Sequence, residues 1–428
     1  MLKIISHIDA AAGGEKAKTL FTALNYSISI FMGIYLFANP LPLSAVNEFC
    51  FYLSVLALIL LLVFRKTTFT LRSPLTLPFA LFFLWAVFGL FFTLNFKNSL
   101  LDLRGHLLKY LIVFYLLVNY FNSQKKLEII AWIGIASATF FSVGAIIQYY
   151  FIEGFPFSER LGLTFRGEVT CDYLGFITIF GVCLGLHFLY KVKNIFYKIL
   201  LTSSLLIMTI TTLLTQSKGS LLGLIAALVI LCFHNKKNII FIILAILIII
   251  SMPIKERLTS DNFTKDVRTK MNRLTIEVIK DYPIAGIGFG MGIYGNKDLV
   301  PLEKYNSKLP PEYQQQGQMI GSPHNTILDI AVRTGVVGLL LFLYILITSL
   351  WMLWKTTKLG KGEYFTSWAI CLFACFVSFL IPALFADTTF GARVIVFYTM
   401  MAMITILWNV ARQEKTPEII PSSIKFTN

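Results

Sequence analysis

The sequence predicts an all-α polytopic membrane bundle of about twelve transmembrane helices, with one large outer loop that contains short helices. Three observations carry this. Hydrophobic residues make up 57% and charged residues 14% of the 428 positions, whereas a soluble globular domain is about 25% charged. Mean hydropathy is +0.74. The apolar runs are mostly about 16 to 24 residues long, which suits helices crossing a hydrocarbon core of about 30 Å, and none alternates as a barrel strand does.

The first run begins near Leu20 and continues past Ala38, too long for the apolar core of a cleavable signal peptide, so it is expected to stay as the first span. The remaining spans are expected at 49–64, 75–94, 107–121, 127–150, 171–190, 196–214, 219–234, 238–253, 328–354, 366–386 and 394–411. Alternate connections are short and basic: Lys16 and Lys18, Arg65 and Lys66, Lys125 and Lys126, Lys191 and Lys193, Lys236 and Lys237, Lys355 and Lys358, then Arg412 and Lys415. The positive-inside bias assigns these to the cytoplasm, which puts both termini inside and requires an even number of spans. The chain then divides into an N-terminal membrane region (1–253, about nine spans), a large outer loop (254–327), a C-terminal membrane region (328–411, about three spans) and a cytoplasmic tail (412–428).

The net charge of +15 falls in these interspan clusters, which orientation bias explains, so nucleic acid is not expected as a partner. Cys50, Cys171, Cys183, Cys232, Cys371 and Cys375 lie in or beside apolar runs with no CxxC spacing, and read as small buried residues.

Six basic residues break the orientation bias by standing at outer boundaries: Arg104, Lys109, Arg160, Arg166, Lys218 and Arg393. Any one of them, Lys109 above all, is explained by snorkelling or by capping a helix end. The whole set on one face is better explained by a shared anionic ligand.

The large outer loop holds the densest chemistry. Met271, Leu274, Val278 and Tyr282 recur at helical spacing, so a short helix is expected over Val267–Tyr282, with Arg273 and Glu277 as an i, i+4 pair and Pro283 as its stop. Arg268, Asn272 and Thr275 share one face of it, directed toward the bundle. The run Gly286-Ile-Gly-Phe-Gly-Met-Gly292 lacks the strand and helix of a dinucleotide-binding unit, and reads as a turn in which backbone packs closely on helices; phosphate contact by its N–H groups is the minority reading. Residues 296–320 read as a mobile polar excursion. In Ser322-Pro-His-Asn-Thr326 the serine and proline suit a helix start. The histidine needs another explanation, and an imidazole beside a basic loop can accept a proton near neutral pH.

Arg268 fifteen residues before Pro283, the run Pro283-Ile-Ala-Gly-Ile-Gly-Phe-Gly290, and Pro323-His-Asn-Thr-Ile-Leu328 followed by Gly335-Val-Val-Gly-Leu339 together resemble the O-antigen ligase and polymerase family of bacterial inner-membrane glycan transferases. Leu214-Thr-Gln-Ser-Lys-Gly-Ser220 is similar to that family's Thr-Gln-Ser-Arg-Gly pattern, and Arg160-Leu-Gly-Leu-Thr-Phe165 resembles another of its outer segments. The motifs cover roughly residues 160–340. Lys218 stands where the family commonly has arginine, which keeps charge but loses the planar fork for phosphate.

The resemblance implies an enzyme of lipopolysaccharide biosynthesis that works at the periplasmic face of the inner membrane. Its donor would be O antigen on undecaprenyl diphosphate, its acceptor a sugar hydroxyl of lipid A-core, and its other contacts membrane lipids. A lipid diphosphate at the interface needs positive charge as it binds and leaves, for which Arg160, Arg166, Lys218, Arg268 and Arg393 are the candidates. Arg268 and His324 are the expected catalytic residues, His324 as base or orienter of the hydroxyl, with Arg273 and Asn325 as further substrate contacts. The outer acids Asp261, Asp266, Asp281, Asp298, Glu303 and Asp329 include no Asp-x-Asp pair, so neither metal nor other cofactor is expected. O-antigen polymerase, whose acceptor is another lipid-linked repeat, is the nearest alternative. A lipid-linked glycan transporter is the more distant one; it calls for ionisable residues at span centres or repeated halves, and neither is visible.

Overall fold

A computed structural model describes residues 15–41, 43–162, 164–165, 168–169, 171–240, 243, 267–317, 319, 321–387 and 393–415. Most of the span expected at 238–253, the C-terminal tail beyond residue 415, Asp261, Asp266 and Arg166 lie outside these residues.

The described chain is helical apart from one two-residue antiparallel pair, Thr164–Phe165 with Glu168–Val169. The helices in order are α1 (Glu15–Ala38), α2 (Ser44–Val63), α3 (Thr76–Phe88), α4 (Phe96–Asp102), α5 (Lys109–Tyr120), α6 (Gln124–Ile146), α7 (Cys171–Leu189), α8 (Ile195–Leu214), α9 (Lys218–His234), α10 (Val267–Asp281), α11 (Leu302–Asn306), α12 (Thr326–Leu359), α13 (Glu363–Ala383) and α14 (Val394–Lys415). A π turn, Leu103–Leu108, joins α4 to α5, and a second, Ile147–Ile152, extends α6.

Among the described residues, eight helices are long and apolar enough to cross a membrane, and Thr76–Phe91 and Lys218–His234 are shorter apolar helices. The protein is a multi-pass membrane protein. Every side chain of α7 but Asp172 is buried, as are nearly all those of α14, so these two form the centre. On α2, α3 and α8, by contrast, large apolar residues such as Phe49, Leu84 and Ile199 are exposed. Helices that are apolar all round can tolerate this only where lipid is the solvent. Five of the six cysteines are buried as expected, and Cys232 is partly exposed.

The segment 267–313 folds over one end of the bundle as a cap with its own core: Leu274 and Val278 of α10 pack with Ile287, Ile293, Tyr294, Val300, Leu302, Tyr305, Leu309 and Val332. This corrects the reading of 296–320 as a polar excursion, because its scattered apolar residues are buried together against α10. Helix α10 ends at Asp281, before Pro283, and turns its Thr275 inward to Tyr294, with the two hydroxyls 2.8 Å apart. Burial pushes the Tyr294 phenol up from its ordinary value, so it stays a neutral hydrogen-bond partner.

The glycine run stitches this cap to the membrane helices. Helix α12 kinks at Gly335 (φ 70°, ψ −178°), a backbone region essentially reserved for glycine. The kink releases carbonyls that the helix would otherwise use. Ile287 N–H donates to Val332 O (2.9 Å) and Gly288 N–H to Arg333 O (3.1 Å), Trp85 Nε1 donates to Thr334 O (2.8 Å), and Val336 N–H donates to Pro283 O (2.8 Å). Further along, Gly290, Met291 and Gly292 donate their N–H groups to Ser99 Oγ, Asp102 Oδ2 and Asn98 Oδ1 at 3.2, 2.6 and 3.1 Å. The run is therefore the close-packing turn expected, and protein acceptors take up the N–H groups of Ile287, Gly288, Gly290, Met291 and Gly292, which weighs against the phosphate reading.

Candidate functional site

The first half of the site forms where α8 gives way to α9. Gln216 takes a left-handed backbone (φ 47°), uncommon for a side-chain-bearing residue, and three bonds fasten the 158–161 segment to this turn. Leu161 N–H donates to Leu214 O at 2.9 Å, Gln216 Nε2 to Ser158 O at 3.1 Å, and Arg160 Nε to Thr215 O at 3.1 Å. Ser217 is the N-cap of α9, its Oγ accepting from Ser220 N–H at 3.4 Å. That hydroxyl donates to Asp172 Oδ1, in the first turn of α7, at 2.5 Å. The other oxygen of Asp172 faces the cap: Arg268 Nη2 lies 3.9 Å from Asp172 Oδ2. The Arg268 guanidinium also lies 5.8 Å from the centre of the Phe385 ring.

Phe385 leads into the second half, because residues 385–387 continue from the end of α13. Thr326 Oγ1 donates to Ala386 O at 2.7 Å. Ser322 Oγ donates to Asp387 Oδ2, and Arg393 Nη1 donates to Asp387 O at 2.6 Å. Asp387 Oδ1 is buried and has no hydrogen-bond partner among the described residues. His324 N–H reaches Ser322 Oγ at 3.4 Å; the residue has a left-handed backbone (φ 46°) and is half-buried. Contacts and short stretches of chain thus connect Arg160, by way of Thr215–Ser217, with Asp172, Arg268 and Phe385, and residues 385–387 lead on to Asp387, which engages Ser322 and Arg393, with the His324 backbone N–H on Ser322. Half-buried Lys218 is the first residue of α9, where the unpaired N–H groups of the helix add to its positive charge.

The structure brings some of the expected residues into this series and leaves others outside it. Arg160, Arg268 and Arg393 lie along it, the His324 backbone N–H joins it at Ser322, and Lys218 follows the N-cap Ser217 in sequence. Asn325 caps α12, its Oδ1 accepting from Ile327 and Leu328 N–H at 3.0 and 3.2 Å; the cap is therefore Asn325 rather than Ser322, which is engaged by Asp387. Arg273 is not part of the contact series. Its guanidinium lies 3.7 Å from the Tyr313 ring centre, and Glu277 pairs with Lys280 at 2.6 Å instead of with Arg273, because the flat ring offers the exposed guanidinium a better surface. Lys109, the first residue of α5, pairs with Glu48 and packs over Phe51 and is not part of the contact series. Asp172 and Asp387 carry no sequence signal that marks them as site residues, although each stands at an end of an apolar run.

Asp329 and Arg333 form a fully buried pair on α12, Nε to Oδ1 at 2.6 Å. A small cavity of about 20 Å³ lies alongside, lined by Phe82, His106, Phe289, Ile330, Phe342 and Phe397 among others, and bounded by Val394 next to Arg393. Among the described residues there is no group of three or more His, Cys, Asp or Glu side chains that could hold a metal ion.

The cations Arg160, Arg268 and Arg393 along this series suit an anionic ligand. Residues 203–343 match the family model described as O-antigen ligase. The match spans about a third of the chain and takes in Lys218, Arg268 and His324, while Arg160, Asp172, Asp387 and Arg393 fall outside it. The O-antigen ligase model and the motif resemblance converge on the same family of ligases and polymerases. No curated protein matches the chain.

Proposed function

We propose that the protein is an O-antigen ligase, which transfers a polysaccharide en bloc from undecaprenyl diphosphate to a sugar hydroxyl of lipid A-core at the periplasmic face of the bacterial inner membrane. The observation that carries this reading is the series of contacts and short chain segments joining Arg160, Arg268, His324 and Arg393, drawn from four separate stretches of chain, inside and beside the region matched to the O-antigen ligase family. The associated topology has about twelve spans, cytoplasmic termini and a periplasmic loop at 254–327.

The donor diphosphate lies among Arg160, Lys218 and Arg268, where charge-assisted hydrogen bonds from arginine are strongest. These cations bind the substrate and, more importantly, stabilise the charge that grows as the bond between the anomeric carbon and the phosphate oxygen breaks. The acceptor hydroxyl lies at His324, with Asn325 and Arg393 beside it. Its oxygen bonds to the anomeric carbon, its proton passes to the imidazole, and the lipid diphosphate departs with the bonding electron pair. Direct displacement of this kind inverts the anomeric centre. No metal is required in this scheme, since the cationic side chains supply the electrostatic stabilisation.

The test is the lipopolysaccharide profile of a deletion strain, probed for O antigen, together with its lipid-linked pool. Core free of O antigen, full-length polymer retained on undecaprenyl diphosphate, and no rescue by well-expressed His324→Ala or Arg268→Ala is the expected result. Core carrying single repeat units would instead identify a polymerase, and an unchanged profile would sink both activities.

A further inference from the structure

Asp172 is one of two acids, with Asp387, in a site that collects cations. It is an acid placed where a dianionic ligand is to bind, its Oδ1 accepting from Ser217 Oγ at 2.5 Å and its Oδ2 lying 3.9 Å from Arg268 Nη2. The two contacts differ in kind. The short bond to the N-cap serine of α9, with the helical backbone of α7, fixes the carboxylate. The contact to Arg268 is long and half-exposed, with side chains 32% and 23% accessible, and such pairs are weak and readily exchanged. Arg268 comes from the cap, whereas Asp172 and Ser217 belong to the bundle, so this pair is an exchangeable link between the two.

Charge arithmetic on the reaction supplies the reason for such a link. A glycan-linked lipid diphosphate carries one negative charge on each phosphate. Cleavage from the sugar leaves the terminal phosphate as a monoester, which gains a further charge near neutral pH. A purely cationic site would therefore hold the product more tightly than the donor, and release would limit turnover.

We propose that Asp172 is a release residue: a fixed counter-charge that repels the lipid diphosphate product and takes Arg268 back as the product leaves. This rests on the ligase reading above, but applies to any transfer that liberates a lipid diphosphate in this site. Asp172 acts through Arg268 and the local potential and bonds to no reacting atom, so it is a positioning residue. Its signature has a sign opposite to that of a structural support. Removing its charge tightens product binding, whereas losing a mere support loosens it.

The experiment measures the affinity of the full chain in detergent for farnesyl diphosphate, a short-chain stand-in for the product, with farnesyl monophosphate as reference. Asp172→Asn keeps an oxygen for Ser217 and removes the charge. It should bind farnesyl diphosphate about three- to tenfold more tightly than wild type, as one unit charge at this range in a half-exposed site implies. The monophosphate should gain less. Transfer assays should show kcat and KM falling together, with a first-turnover burst. Asp172→Glu should bind like wild type, and Asp172→Ser replaces the asparagine variant if that is recovered poorly. Unchanged or weaker binding by the neutral variants, with wild type binding normally, overturns the release role and leaves the ligase reading standing. Failure of wild type itself to bind any lipid diphosphate removes both.

Discussion

Arg268 enters the site from the first turn of the cap and Lys218 from the first turn of α9, and each has a distinct test. Arg268 faces a carboxylate and a ring, so Arg268→Lys, which keeps charge but loses the fork and the planar face, should retain only about a tenth or less of wild-type transfer. Lys218→Arg should retain transfer or raise it, since it restores the bidentate donor at the start of α9, whereas Lys218→Ala should lower it about tenfold or more; in vitro transfer to purified acceptor measures all three. The Asp329–Arg333 pair calls for a stability measurement. Arg333→Met would leave a fully buried carboxylate without its cation, at a cost of about 3–5 kcal/mol, while the double replacement Asp329→Leu with Arg333→Met should cost markedly less; thermal unfolding in detergent separates these outcomes. The cations of the site were legible because each broke an orientation bias. Asp172 and Asp387 were not, because an acid at a helix terminus is an ordinary feature of sequence and only its neighbours in space, Ser217 with Arg268 and Ser322 with Arg393, mark it as part of a site.

Two elements depend on a single residue's local conformation. Asn325 starts α12 by accepting two backbone N–H groups, and loss of such a cap costs about 0.5–2 kcal/mol. Asn325→Asp and Asn325→Ser should therefore unfold near the wild-type temperature and Asn325→Ala below it; an activity loss in the aspartate variant without a stability loss would instead reveal substrate contact. Gly335 holds the kink on which the cap is mounted. A Cβ there would lie 1.8 Å from Ile284 O, so Gly335→Ala combines backbone strain with a main-chain clash and should destabilise by about 3 kcal/mol or more, read as a lower unfolding temperature and as cleavage of the cap by added protease. Helix α10 was readable from its period, and Gly286–Gly292 as a close-packing turn. The cap's core was not, because Val300, Leu302, Tyr305 and Leu309 are scattered among prolines and lysines with no helical or strand period, and become one surface only when the chain folds back on α10 and Ile287.

At the scale of the whole molecule, the expected orientation is tested by single cysteines in a background lacking the native six. Lys304→Cys, on the cap, should react with a membrane-impermeant maleimide in intact spheroplasts, whereas Lys355→Cys should react only after lysis; the reverse pattern would invert the assigned topology. The sequence by itself determined that this is a multi-pass helical membrane protein, because the length and apolar character of a span are local properties, enforced by a solvent that leaves the backbone no partner outside its own helix. It also marked which charges stand at span ends against the orientation bias, since an interfacial charge is costly wherever it stands. Only the tertiary structure decided which of those charges meet. Arg268 joins Asp172 from 96 positions away in the chain, by subtraction of their numbers, and Arg273, five residues further along α10, turns to Tyr313 instead. That outcome depends on the rotation of a helix about its axis and on the docking of the cap through Gly335, and these are set by packing among distant segments rather than by any pattern along one of them.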